Sequence, residues 1–411
     1  MGIQIISIVN RQVGIDNFEF VERKGSGHPD TLADELAEEL SIYYSRYTKE
    51  KCGVVLHHNF DKLSLLGGAS HVMLGKGNIT KPIRVILNGR ASLRFGNVDL
   101  NINDLLYPVI RKFFKEKFDG LNPEKDIDII NMVSTQSSPG KTYENESAKG
   151  TRRFWFEPRD ANDLRELQHL GANDTAIGVG YAPLSKVESA VLKLEQFLNC
   201  REYKADKPWL GSDIKIMAAR LGNDVDITLC VPQIANYVHS LEEYTSNLAK
   251  IRGDISKLLD SLLHGLNLSI NLNTRDDLEL KELYITAIGS SIESGDEGVV
   301  GRGNRLNGLI SSNRPYSIEG LAAKNPVYHA GKLYNLLAQE IADKIYKITN
   351  KYVEVYLVSQ SGRLLKNPWK ALVSIDGPVD EAVVRNIVEE GIQNITDITD
   401  SILKGRNYLK K

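Results

Sequence analysis

The residues best equipped for chemistry lie between Ile292 and Lys324, I-E-S-G-D-E-G-V-V-G-R-G-N-R-L-N-G-L-I-S-S-N-R-P-Y-S-I-E-G-L-A-A-K. Five glycines (Gly295, Gly298, Gly301, Gly303, Gly308) fall within fourteen residues, interleaved with Asp296, Glu297, Arg302, Asn304, Arg305 and Asn307. Glycine lets backbone N–H groups approach a ligand closely. Arginine forks match phosphate oxygens. An acidic residue beside them can hold the divalent cation that a polyphosphate carries. The loop therefore has the parts of a phosphate-and-metal site, although such spacing also occurs in plain solvated turns.

A second constellation is Gly25-Ser26-Gly27-His28-Pro29-Asp30. Leu32, Leu36, Leu40, Tyr43 and Tyr47 follow at helical spacing, so this segment opens a helix with proline in its first turn. Free N–H groups and the helix dipole suit an anion there. His28 could donate to a phosphate or a leaving oxygen, and Asp30 could hold a metal. Equally, Asp30 could cap the helix and His28 be an ordinary surface residue. In V-V-L-H-H-N-F-D-K-L, Asp61 and Lys62 interrupt an apolar pattern and either sit at a bend or line a site. The neighbouring His57 and His58 point to opposite strand faces and make a poor two-ligand site. Asp213 and Lys215 share one strand face. Residues 134–142 end in Gly140-Lys141-Thr142, but Thr135 stands where a P-loop needs its first glycine and no helix pattern follows. What remains is a polar loop, with Gln136, Gly140 and Lys141 as candidate nucleotide contacts.

The elements that must carry these residues are strands mixed with long helices. Strands are expected near the N-terminus, over 54–68, 83–87, 126–133, 173–184, 266–272, 283–288, 352–360 and 371–376. A hairpin turns at Gly222-Asn223-Asp224. Helices are expected from 103 to 118, after the capping box Ser185-x-x-Glu188, over 241–265, from 328 to 350 and over 379–404. Without regular β-α-β alternation the class is α+β.

Composition narrows the partners. The 411 residues carry a net charge of -2, which gives no electrostatic case for nucleic acid or membranes. Cys52, Cys200 and Cys230 lie far apart without metal spacing and suit a reducing, cytoplasmic setting. No apolar run approaches a membrane span.

Taken together, G-H-P-D-T at 27–31, H-H-N-F-D at 57–61, A-N-D-T-A-I-G-V-G-Y-A-P-L-S at 172–185, G-S-D-I-K-I-M at 211–217, G-D-E-G-V-V-G-R-G-N-R-L-N-G-L-I at 295–310 and A-K-N-P at 323–326 resemble the archaeal-type S-adenosylmethionine synthetases. The match runs in order over most of the chain. The resemblance implies an α+β fold of three similar β-α-β-β-α-β modules around a pseudo-threefold axis, with mixed sheets packed on each other and helices outside. The chain would be one catalytic unit of interleaved modules, with approximate segments 1–135, 136–270 and 271–411. It implies ATP and L-methionine as substrates, Mg²⁺ as cofactor with K⁺ as a further candidate, and a homodimer whose active sites lie between subunits. By carry-over, His28, Lys215, Arg302 and Lys324 are catalytic. Asp61, Asp213, Asn304 and Arg305 bind substrate, and Asp30 and Asp296 hold metal. Departures are K-N-P-V-Y-H-A at 324–330, which lacks an acidic metal ligand and offers His329 instead, Ser26, and the stretch 360–365. A different phosphate-handling enzyme and a homologue that only binds ATP are the rival readings.

Overall fold

The structure, a computed structural model, describes residues 6–10, 17–135 and 154–410. Gln136, Gly140 and Lys141 lie outside them. Ten helices occur among the described residues: α1 (Pro29–Cys52), α2 (Ile102–Lys117), α3 (Pro123–Asp126), α4 (Arg165–His169), α5 (Lys186–Asn199), α6 (Arg201–Lys204), α7 (Leu241–Leu262), α8 (Ala330–Thr349), α9 (Glu381–Gln393) and α10 (Thr396–Leu403).

Three larger sheets carry the fold, and each buries one face under helices. The first orders its strands Ile127–Ser134, Ile83–Ala91, Ser64–Leu66 and Gly298–Val299, with His58–Asn59 also on Ile83–Ala91, and packs α1 and α2. The second runs Asn267–Leu272, Asp224–Cys230, Lys215–Leu221, Phe18–Lys24 and Ile310–Ser311, and packs α5 and α7. The third runs Ile6–Asn10, Lys370–Ile375, Val353–Val358 and Ile177–Ala182, under α8, on which α9 packs in turn. Parallel and antiparallel pairs mix within each of these three sheets. The architecture is mixed α+β, as the pattern of elements predicts.

Local chemistry explains the element ends. Ser185 and Glu188 close the expected capping box on α5. Ser240 caps α7 by accepting from Glu243 N at 3.1 Å. At the start of α1 the cap is His28 rather than Asp30: its Nδ1 accepts from Asp30 N at 3.1 Å. The expected last helix is broken into α9 and α10 around Asn394–Ile395. Of the expected strand 283–288, only Ile285–Thr286 pairs, beside Gln233–Ile234. Phe18–Lys24 is a full strand that sequence pattern alone did not mark.

The packing of α8 shows how glycine positions decide the fold. Ile177–Ala182 is the edge strand of the third sheet. Its outward backbone groups are taken by α8 side chains: Asn335 Oδ1 accepts from Val179 N at 3.0 Å, and Gln339 Nε2 donates to Tyr181 O at 2.9 Å. Such bonds need the helix backbone to lie on the strand. A Cβ at Gly178 would strike the backbone of Tyr334, and one at Gly180 the backbone of Ala338 and Gln339. Overpacking a tight contact costs about 1–3 kcal/mol. Gly180→Ala is therefore expected to lower the melting temperature by several degrees in a thermal scan, by about 2–4 °C per kcal/mol for a chain of this size or less.

Candidate active site

The site grows from two glycine contacts between the second sheet and the start of α1. Gly25 N donates to Ile214 O at 2.7 Å and Gly27 N to Ser212 O at 3.0 Å. A side chain at either glycine would collide with the Ser212–Ile214 backbone. Only glycine thus lets the chain entering α1 lie against the chain entering strand Lys215–Leu221. That contact brings His28 beside Asp213.

A cavity of about 490 Å³ opens there, lined among others by His28, Asp213, Lys215, Tyr284, Ser291 and Asp296. Asp213 is buried and accepts from Ser291 N at 2.9 Å and Ser291 Oγ at 2.6 Å. The same hydroxyl lies 2.9 Å from Asp296 Oδ2, so one serine spaces the two carboxylates. Burial pushes Asp213 above the ordinary carboxylate range, with His28 and the Ser291 donors opposing. Burial lowers His28, with Asp213 and Asp30 pulling the other way. The ring is neutral at pH 7. Because Nδ1 accepts the capping bond, the proton resides on Nε2, which is the donor the ring can offer a ligand. Lys215 sits 3.3 Å from Glu22 and remains half-exposed.

α1 then fixes the glycine-rich loop. Asp30 Oδ1 accepts from Val299 N at 3.0 Å, while Oδ2 binds Lys24 Nζ at 2.8 Å. Lys24 Nζ also donates to Arg302 O at 2.8 Å. Asp34, one turn further, accepts from Gly301 N at 2.7 Å and Gly303 N at 3.2 Å. Arg302 is held between those two tethered glycines and its side chain is exposed. Asn304 spends both amide atoms on Lys24, accepting from its N at 3.0 Å and donating to its O at 2.7 Å. Arg305 lines two other cavities beside Asp34, one of them with Tyr316 and Glu319.

Lys324 and Asp61 meet in a different place. Lys324 pairs with Asn59 in a β-bridge, and Phe60 N donates to Ala323 O at 3.0 Å, so Asp61 lies one residue beyond that junction. Lys324 Nζ is buried 2.6 Å from Glu319. Beneath it His329 stands at the N-cap of α8, and its Nδ1 has no hydrogen-bond partner. Burial, then Lys324 and Lys332, hold that imidazole well below its ordinary value. A buried ring facing two ammonium groups is a poor replacement for the missing metal carboxylate. His57 and His58 are likewise buried and pushed down to about 3. They bond separately, His57 to Tyr328 and His58 to Ser41, each at 2.8 Å.

No group of three or more His, Cys, Asp or Glu able to hold an ion occurs among the described residues. Magnesium, however, is usually held by one or two carboxylates and completes its shell with substrate phosphates and water. Asp296, exposed at the cavity edge, fits that sparse mode; Asp30, in the first turn of α1, has its oxygens engaged by Val299 N and Lys24 Nζ and would exchange Lys24 for the ion.

Sequence pattern did not mark Asp34, Glu38, Ser291 or Tyr284. A signal for the first two was present: Asp30, Asp34 and Glu38 recur every four residues, in step with Leu32, Leu36 and Leu40. They therefore form an acidic stripe on a helix that is otherwise buried.

Such a site suits an anionic, metal-bound substrate. The S-adenosylmethionine synthetase (AdoMet synthetase) family model matches residues 1–152 and 156–406. An S-adenosylmethionine synthase of Pyrobaculum neutrophilum is 36% identical over 404 residues, covering 94% of each chain. One from Caldivirga maquilingensis is 37% identical over 407 residues, again covering 94% of each. A probable S-adenosylmethionine synthase of Aquifex aeolicus is 35% identical, covering 95% of this chain and 94% of its own. The solved structure of an unusual S-adenosylmethionine synthetase from Campylobacter jejuni shares the fold, with a TM-score of 0.59 at 16% identity over 94% of each chain. The chain belongs to the S-adenosylmethionine synthetase family.

The environment of Asp34 makes a pH prediction. Burial pushes its carboxyl up to about 7 despite the two N–H donors. A carboxyl raised in the folded state binds its proton more tightly there than in the unfolded chain. Its contribution to stability is therefore complete below about pH 4 and is lost as pH rises to about 7. Compared with Asp34→Asn, the parent protein should lose folding free energy over that window, with a slope up to about 1.4 kcal/mol per pH unit. Denaturant titrations of both proteins at pH 4.5, 6 and 8 (working points within and above the window of about 4–7) check this; parallel curves would refute the assignment.

Proposed function

We propose that this chain is a methionine adenosyltransferase that converts ATP, L-methionine and water into S-adenosylmethionine, phosphate and diphosphate. The observation that carries the reading is the neutral His28 sharing a cavity with Lys215, Asp213 and Asp296 in a chain of this family. The methionine sulfur forms a bond to ribose C5′, the C5′–O5′ bond breaks, and tripolyphosphate departs. Water then cleaves the tripolyphosphate.

The barrier is set by negative charge growing on O5′ and the phosphates, so catalysis places donors and cations where that charge appears. His28 Nε2 donates to the departing oxygen and need not give up its proton. Lys215, Arg302 and Lys324 bind phosphate oxygens. Asp30 and Asp296 would hold Mg²⁺, which supplies further charge neutralisation when bound. Asp61 and Asp213 bind substrate, Asp61 receiving the methionine ammonium. Arg305 supports the same loop from its other side, and Asn304 serves through its clamp on Lys24. The nucleotide role of Gln136, Gly140 and Lys141 stands on the polar-loop reading of their sequence, and the potassium requirement on the resemblance.

We further propose a homodimer with active sites between subunits. Two features support it. Lys324 and Asp61 occupy a patch apart from the His28 cavity, so a second copy can bring the two sets together. The outer face of the second sheet is also apolar: Phe18 faces Leu221 and Phe20 faces Ala219, with exposed Met217 opposite Glu22. One further pair along, that face carries Lys24 and Lys215, at the site itself. Three sheets, each with two helices and its own hydrophobic cluster, support the pseudo-threefold arrangement of three interleaved modules.

Incubating the protein with ATP, Mg²⁺ and methionine should yield S-adenosylmethionine on chromatography, with matching phosphate release. His28→Ala and Lys324→Ala should each lower kcat by about 10²–10³-fold, the usual loss for one preorganised donor. Phosphate release without the sulfonium product would point to another acceptor. In sedimentation, the parent protein should run as a dimer and Phe20→Asp/Met217→Asp as an inactive, still folded monomer.

A further inference from the structure

Ala323 stands directly before Lys324, is fully buried, and adopts φ 64°. That left-handed conformation is disfavoured for any residue with a Cβ and persists only where the surroundings over-determine it. The surroundings here are specific. Ala323 N donates to Glu38 Oε2 at 2.8 Å. Glu38 in turn holds Lys332 Nζ with both oxygens, at 2.6 and 2.7 Å. Lys332 Nζ donates onward to Lys324 O at 3.1 Å. Glu38 and Lys332 are each only 2% exposed. One ion pair, joining α1 to the first turn of α8, therefore grips both sides of the Ala323–Lys324 peptide.

A buried ion pair is a poor investment in stability, because desolvating two charges offsets their attraction. This one has a second use. We infer that Glu38 and Lys332 are positioning residues: together they hold Ala323 in the left-handed region and so fix the direction in which Lys324 leaves the backbone. Without the grip, an alanine relaxes to negative φ and carries the Lys324 side chain away from its place. The inference rests on the methionine adenosyltransferase reading, in which Lys324 binds phosphate oxygens.

The test compares kcat, methionine KM and melting for the parent protein, Glu38→Leu/Lys332→Met, Ala323→Gly and the triple variant. The double variant removes both charges together and leaves no uncompensated ion buried. It should lose about 10²-fold in kcat, the scale of a small misplacement of a catalytic group, with methionine KM little changed. Adding Ala323→Gly should restore most of that loss, because glycine populates both signs of φ about equally. A general weakening of the fold would not be rescued in this way. Ala323→Gly alone should keep kcat and raise the melting temperature by relieving strain. An unchanged kcat in the double variant, or a loss that Ala323→Gly leaves in place, overturns the inference. If the double variant does not fold, Ala323→Gly alone decides: a higher melting temperature supports the strained grip, and a lower one overturns it. Absence of sulfonium product from the parent protein would instead sink the reading on which the inference rests.

Discussion

The structure depends on three carboxylates on one buried side of α1. Asp30, Asp34 and Glu38 lie at successive helical turns, and all three are buried. A buried carboxylate is costly unless donors surround it. The segments around residues 299–303 and 323–324 have the opposite deficit, backbone N–H groups that no neighbouring strand takes. Each deficit answers the other. Asp30 takes Val299, Asp34 takes Gly301 and Gly303, and Glu38 takes Ala323. The helix acts as a template along which two loops are laid in order.

This arrangement accounts for where the cations go. Lys24 and Lys332 neutralise the ends of the stripe at Asp30 and Glu38. Arg302, anchored through its neighbours' backbone rather than its own side chain, keeps its guanidinium in solvent. Proximity explains two glycines of the loop, since a Cβ at Gly298 would enter the backbone of Pro29 and one at Gly303 the carboxylate of Asp34, while Gly295, Gly301 and Gly308 adopt the positive φ that favours glycine. A loop that looks pliant in sequence is laced to a helix.

Much of this was legible in the amino acids, and the gaps have physical causes. The opening of α1, the caps of α5 and α7 and the Gly222 turn follow from local chemistry, which short windows contain. The long motifs gave the family. Strand Phe18–Lys24 escaped because its partners, Lys215–Leu221 and Ile310–Ser311, lie some 200 and 290 residues away by number, roughly the separations that nonlocal pairing brings. The role of Asn304 escaped for a similar reason: its clamp on Lys24 joins groups 280 residues apart. Ala323 carried no signal at all, since a positive φ cannot be read from an alanine. Tertiary contacts impose it.

The pairing of Ile6–Asn10 with Lys370–Ile375 has a consequence for biosynthesis. Early strands find their neighbours only after late ones have been made. Phe18–Lys24 waits for residue 311 to complete its sheet, and Ile6–Asn10 waits for residue 375. Throughout translation the ribosome thus carries a nascent chain with unfilled strand edges and uncovered apolar faces. At about 5–20 residues per second, that interval lasts many seconds.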